Sequence, residues 1–172
     1  MRTRWLLAAV FAAAACSGSN QPPAAAVAER VQPPAVAAAP RQAGRDLRAD
    51  ERLGGHTLQR HVGRSDADLV ARLRRERDIS AASTYTDETT ASTVVAAAIA
   101  QSASKISAWE ARPGSRPNLV LRFAEPGRPP IGRSLQRDAR TPKPCHRALV
   151  VLRWNDRQDR WYVLTSYPEA DR

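Results

Sequence analysis

The sequence predicts one α+β domain, N-terminal helices packed on a C-terminal antiparallel sheet, carried behind an export signal and a tether. Three observations predict it. Apolar residues recur every three or four positions between Asp46 and Trp109 but every second position from Leu119 onward, the change of period that marks segregated helical and sheet halves. A breaker, ARPGSRPN, separates the two regimes. The first 45 residues are mostly Ala, Pro, Gln and Val, so the charged residues and aliphatic runs are concentrated in the remaining ~125, enough for a modest core.

Residues 1–16 read as an export signal: two arginines in Met1–Arg4, an apolar run from Trp5 to Ala15 too short to span a bilayer, and Cys16 after four alanines. The cysteine after small residues resembles a bacterial lipobox, which would make Cys16 the acylated first residue of the mature protein and its lipid the membrane anchor. Ala13 stands where such boxes usually carry leucine, and a plain secretory signal cut near Ala15 is the alternative. The resemblance, with Ser17 next, implies an outer-membrane lipoprotein of the cell envelope; the alternative implies a secreted protein. Neither is cytoplasmic. Residues 17–45, with prolines at 22, 23, 33, 34 and 40 and no apolar period, form an extended, solvated tether. With Cys16 consumed by lipid, Cys145 has no partner, so the domain of residues 46–172 must stand without a disulfide. Cys145 as a nucleophile is disfavoured, since the adjacent His146 would point elsewhere on a strand.

In the helical half, Asp46–Leu53 forms a short helix stopped by Gly54 and Gly55, and His56–Val62 a further turn or two ending at Gly63. Ser65 followed by Asp68 resembles a capping box and opens a helix with Leu69, Val70 and Leu73 on one face and arginines 72, 74, 75 and 77 around the rest. Residues 79–86 are polar and Ser/Thr-rich, and they lead into the longest helix, Asp87–Trp109, with Ala91, Val94, Val95, Ala98, Ile99, Ser102 and Ile106 at helical spacing. In the sheet half, strands are expected at 119–123, 131–136 and 148–153. The loop NDRQD turns the last of these back into RWYVLTSYP, whose alternation puts Trp161, Val163, Thr165 and Tyr167 on one face. Thr165 and Tyr167 then stand about 7 Å apart along the strand end.

The formal charge of +10 divides into +4 before Asp46 and +6 after it. Such a surplus fits a polyanionic partner, nucleic acid or an anionic membrane surface, although an Ala- and Arg-rich composition produces the same bias without any partner. No HExxH, CxxC pair or carboxylate cluster indicates a metal, no GxxxxGK[ST] indicates nucleotide-triphosphate chemistry, and no GxSxG indicates a serine hydrolase. Histidine, arginine, threonine and tyrosine remain, on a basic domain and without a cofactor.

That set suits cleavage of RNA by its own 2'-hydroxyl. The reaction needs a base for the hydroxyl proton, an acid for the leaving 5'-oxygen, and cations or hydrogen-bond donors for charge on the phosphorane. Two of the three histidines lie in GGHTLQRHVG. His56 and His61 are five apart and would project about 140° apart on a continuous helix, so one site uses one of them as base, and the spacing leaves open which. His61 and Arg72, eleven apart, would align within about 20° on a helix, but Gly63 and Ser65 interrupt it.

The ordered set GGHTLQRHVG, SDADLVARL, ASTYTDETTA and WYVLTSYP, spanning about Arg48 to Pro168, resembles the ribonuclease-A-like toxin domain found at the C-termini of bacterial contact-dependent growth-inhibition proteins, the CdiA-CT type. The resemblance implies a kidney-shaped, RNase-A-like α+β fold without disulfides, and metal-independent cleavage of RNA, tRNA included. It assigns His61 as the catalytic histidine, Arg72 as the phosphate-binding cation and Thr165 and Tyr167 as a hydroxyl pair. His56 and Arg133 are added as substrate contacts, and the expected partners are RNA and an immunity protein, with the chain acting as a monomer. The family's toxins end very large secreted proteins, whereas here a signal and a short tether precede the domain. Besides an exported toxin-type ribonuclease, the reading therefore keeps a second class: a non-catalytic envelope lipoprotein that binds nucleic acid or another polyanion with the same fold.

Overall fold

The computed structural model describes residues 44–171. All elements below lie in one compact unit, Ala39–Arg172; the expected export signal, Cys16 and most of the expected tether lie outside the described residues. The helical half opens with two short helices, α1 (Leu47–Arg52) and α2 (Thr57–His61), then α3 (Asp66–Arg75). Asp46 caps α1 through Ala49 N. Ser65 and Asp68 form a reciprocal capping box on α3, a pairing whose loss costs about 1 kcal/mol.

Strand β1 (Ala81–Tyr85) follows, where the sequence offered only a polar connection. The segment lacks apolar alternation because both its faces are buried and its hydroxyls find partners inside: Thr84 Oγ1 donates to Tyr85 O and accepts from Arg64 N, and Tyr85 Oη donates to Ser166 Oγ at 2.6 Å, whose own proton goes to Leu149 O. The expected long helix is two, α4 (Glu88–Gln101) and α5 (Ala103–Glu110), broken at Ser102, which leaves helical geometry at φ −110°, ψ 16°. Serine competes for backbone hydrogen bonds and tolerates such breaks, and the turn redirects α5 so that Ile106 and Trp109 are buried.

The remaining strands are β2 (Leu119–Ala124), β3 (Gly132–Gln136), β4 (Lys143–Cys145), β5 (Arg147–Asn155) and β6 (Arg160–Glu169). They form two antiparallel three-stranded sheets, ordered β1-β3-β4 and β2-β5-β6. The helical and sheet halves thus interlock through β1, which the first sheet takes from the helical half. Ala91, Val94, Val95 and Ala98 of α4 pack in one core with Leu121, Phe123, Ala148, Val150, Leu152 and Val163 of the second sheet. A smaller cluster, Leu69, Leu73, Ala82 and Leu135, seats α3 on the first sheet. Cys145 is free and buried, and burial pushes its thiol up to about 12, which makes it inert at neutral pH.

One register detail places the candidate site. Val151 pairs with Thr165 but Leu152 pairs with Val163, so Leu164 is an extra, bulged residue. Strict alternation would put Trp161, Val163, Thr165 and Tyr167 on one face. The bulge inverts the parity: Val163 stays in the core with Ser166, while Thr165 and Tyr167 turn to the opposite face.

Candidate active site

Thr165 and Tyr167 form one wall of a cleft of about 730 Å³ between the two sheets, closed at one side by the helices. Ala81, Ser83, Ser134 and Gln136 of the first sheet line the other wall, and His56, His61 and Arg72 project into it from the helical layer. His61 is the last residue of α2 and Arg72 lies in the last turn of α3, two helices separated by Gly63 and the Ser65 cap. The helix is broken as the sequence indicated, yet the packing of the two helices against β1 and β6 brings the side chains together: Arg72 Nη1 is 3.4 Å from His61 Nδ1.

His61 is only 6 % exposed. Its Nδ1 lies 3.3 Å from the Ser83 carbonyl and 3.4 Å from the Arg72 Nη1 donor, contacts that ask for opposite tautomers; we assign the proton to Nδ1, facing the shorter contact, which leaves the Nε2 lone pair free and makes Arg72 a neighbouring charge and not a donor to the ring. Burial first, and the Arg72 charge second, push the imidazole down to about 3, leaving it neutral near pH 7. Arg72 is held from behind, its Nε donating to Glu76 Oε2 at 3.1 Å one turn on. Burial raises Glu76, but the hydrogen bond and charge of Arg72 keep its carboxyl below the ordinary range.

The Tyr167 ring lies 5.3 Å, centroid to centroid, from the His61 ring and is tilted 33° to it. Burial, with Glu169 nearby, raises its hydroxyl, so at neutral pH Tyr167 is a hydrogen-bond donor and a poor proton source. Thr165 Oγ1 is buried without a hydrogen-bond partner among the described residues. Thr165 lines the cleft, and a rotation about χ1 that turns this partnerless hydroxyl outward would offer it to an incoming anionic oxygen.

His56 also lines the cleft, as the N-cap of α2 with no side-chain cap bond, and burial followed by Arg60 lowers its imidazole. Arg133 is elsewhere: its guanidinium donates to Asp66 Oδ1 at 2.6 Å and to Arg64 O at 2.8 Å, tying β3 to the start of α3, and it is not among the cleft residues. The third histidine, His146, bonds Asp171 at 2.6 Å, and Asp171, Glu169 and Asp78 make one part of the cleft acidic. Among the described residues no group of three His, Cys, Asp or Glu side chains is placed to hold a metal ion. Sequence reasoning missed Glu76, though its place four residues after Arg72 was a legible helical pairing. It also missed the Ser83 carbonyl, concealed in a strand without an apolar pattern.

The crystal structure of a CdiA-CT/CdiI complex from Y. kristensenii 33638 is similar, with a TM-score of 0.60 and 26% sequence identity over 67% of this chain and 100% of that one. No curated protein sequence matches the chain. Residues 55–168 match the family model of the bacterial CdiA-CT RNAse A domain, and the chain belongs to that family.

Proposed function

We propose that the protein is an exported, metal-independent ribonuclease that cleaves RNA, tRNA included, by transphosphorylation. The observation that carries this reading is the convergence of a neutral, oriented imidazole, a guanidinium 3.4 Å from it and a partnerless buried hydroxyl in one cleft. His61 Nε2 takes the 2'-hydroxyl proton as the 2'-oxygen attacks phosphorus. The bond to the 5'-oxygen breaks, leaving a 2',3'-cyclic phosphate, and the imidazolium, acidic because it is buried, returns the proton to the departing oxygen. Arg72 and the hydroxyls of Thr165 and Tyr167 donate to the phosphorane oxygens, where loss of one donor costs about 10²–10³-fold in rate. A phosphate beside Arg72 also offsets the cation's field on His61 and raises its basicity on binding. His56 contacts the substrate from the same cleft, and Arg133 contributes to the basic surface from outside it.

The similarity to a chain solved in complex with CdiI supports a proteinaceous inhibitor for this protein as well. The signal-like segment and Cys16 support export and lipid anchoring. A second reading has one specific observation in its favour: an imidazole held at about 3 is a weak base, which suits a domain that binds RNA without turning it over. Incubating the purified protein with tRNA in EDTA separates the two. Cleavage supports the enzyme. A salt-dependent mobility shift with intact tRNA at every protein concentration supports the binding module and sinks the enzyme.

A further inference from the structure

The bulge at Leu164 decides which face Thr165 and Tyr167 present, and a buried carboxylate stands against it. Asp50, at 2 % exposure, accepts the Val163 N–H on Oδ1 at 3.1 Å. The amide of His56 donates to the Leu164 carbonyl at 2.9 Å. In a regular strand the N–H and C=O of one residue point to the same edge and those of the next residue to the other edge. Val163 N–H and Leu164 C=O can therefore serve the same segment, residues 50–56, only when the strand is bulged between them.

The segment is built for that approach. Gly54 adopts φ +107°, and at Gly55 a Cβ would sit 2.5 Å from Val163 O, so the chain reaches the strand edge only through glycine. Asp50 is held in turn: Arg45 donates to both of its oxygens, at 2.9 and 2.6 Å, and stacks 4.9 Å over the Trp161 ring.

We propose that Asp50 is a positioning residue, which by accepting Val163 N–H selects the bulged form of β6 and so turns Thr165 and Tyr167 toward His61. The catalytic consequence rests on the ribonuclease reading; the structural one does not. Three variants of the full chain test it. Asp50→Leu removes the acceptor, Asp50→Asn keeps an amide oxygen in its place, and Arg45→Met strips the ion pair while leaving the acceptor.

Two readouts are needed: the His61 ring-proton shifts, which sense the Tyr167 ring current, and kcat against KM on RNA. Asp50→Leu moves the His61 signals toward those of Tyr167→Leu and lowers kcat by about 10- to 100-fold, with KM changed much less. Asp50→Asn and Arg45→Met stay within about threefold of the parent, well inside what such a misplacement would cost. A folded Asp50→Leu with unmoved His61 signals overturns the proposal, as does a loss of kcat in Arg45→Met equal to that in Asp50→Leu, which would mark a purely structural role. If Asp50→Leu does not fold, hydrogen exchange in the parent decides. The Val163 amide, on the outer edge of the sheet, is protected if Asp50 holds it, and fast exchange there overturns the proposal. A parent that cleaves no RNA refutes the enzyme, while the ring shifts and the exchange still judge Asp50.

Discussion

Lowering the pH from 7 to 5 will destabilise the fold through His61, by an amount the structure sets. The imidazole falls from an ordinary 6.5 to about 3 in the folded protein, because burial and Arg72 both oppose its charge. With the folded value depressed, the unfolded chain takes the proton first, so the stabilisation is complete above pH 6.5 and is lost as the pH falls toward 3. The whole span, at ~1.4 kcal/mol per unit, amounts to about 5 kcal/mol, of which about 2 kcal/mol is lost by pH 5. His56, also lowered, adds in the same direction. The carboxylates held below their ordinary range, Asp68, Glu76 and Asp171, lose their contribution only as the pH falls below about 4.5, so the window from 7 to 5 belongs to the histidines. Urea denaturation of the parent and of His61→Gln, which can still donate to Ser83 O, measures the effect. The parent loses about 2 kcal/mol or somewhat more, and His61→Gln loses that much less. Equal losses in the two proteins would refute the burial of a neutral imidazole at this position.

Thr165→Val removes a buried hydroxyl that has no partner, so stability changes by less than about 1 kcal/mol while RNA cleavage falls by about 10²-fold; calorimetry beside a cleavage assay checks both. Arg72→Lys keeps the charge but not the fork that serves Glu76 and the cleft together, and initial rates will drop by about 10²-fold. Arg72→Met instead removes the second cause of the His61 depression, so the stability loss between pH 7 and 5 shrinks in the same urea experiment.

Pattern and capping chemistry made much of this molecule legible from its residues. The capping box at Ser65, the glycine stops around α1 and α2, and the alternating strands β2, β5 and β6 all follow from local rules. The resemblance picked out His61, Arg72, Thr165 and Tyr167, and the fold brings these four to one cleft. What escaped was non-local. Strand β1 satisfies its polar side chains inside the protein, so no apolar period betrays it. The bulge at Leu164 depends on acceptors and donors from residues 50–56, more than a hundred positions away, and alternation within β6 could not disclose it. Arg133 lies outside the cleft, tied to Asp66 67 residues away, a pairing that no local pattern discloses.

Analysis of RNA ends tests the central claim most directly. Parent protein and His61→Ala are each incubated with tRNA in EDTA, and the 3' ends of the fragments are identified. The account predicts 2',3'-cyclic phosphate ends from the parent and a rate at least about 10²-fold lower from His61→Ala. Intact tRNA with the parent, or equal cleavage by His61→Ala, would contradict it.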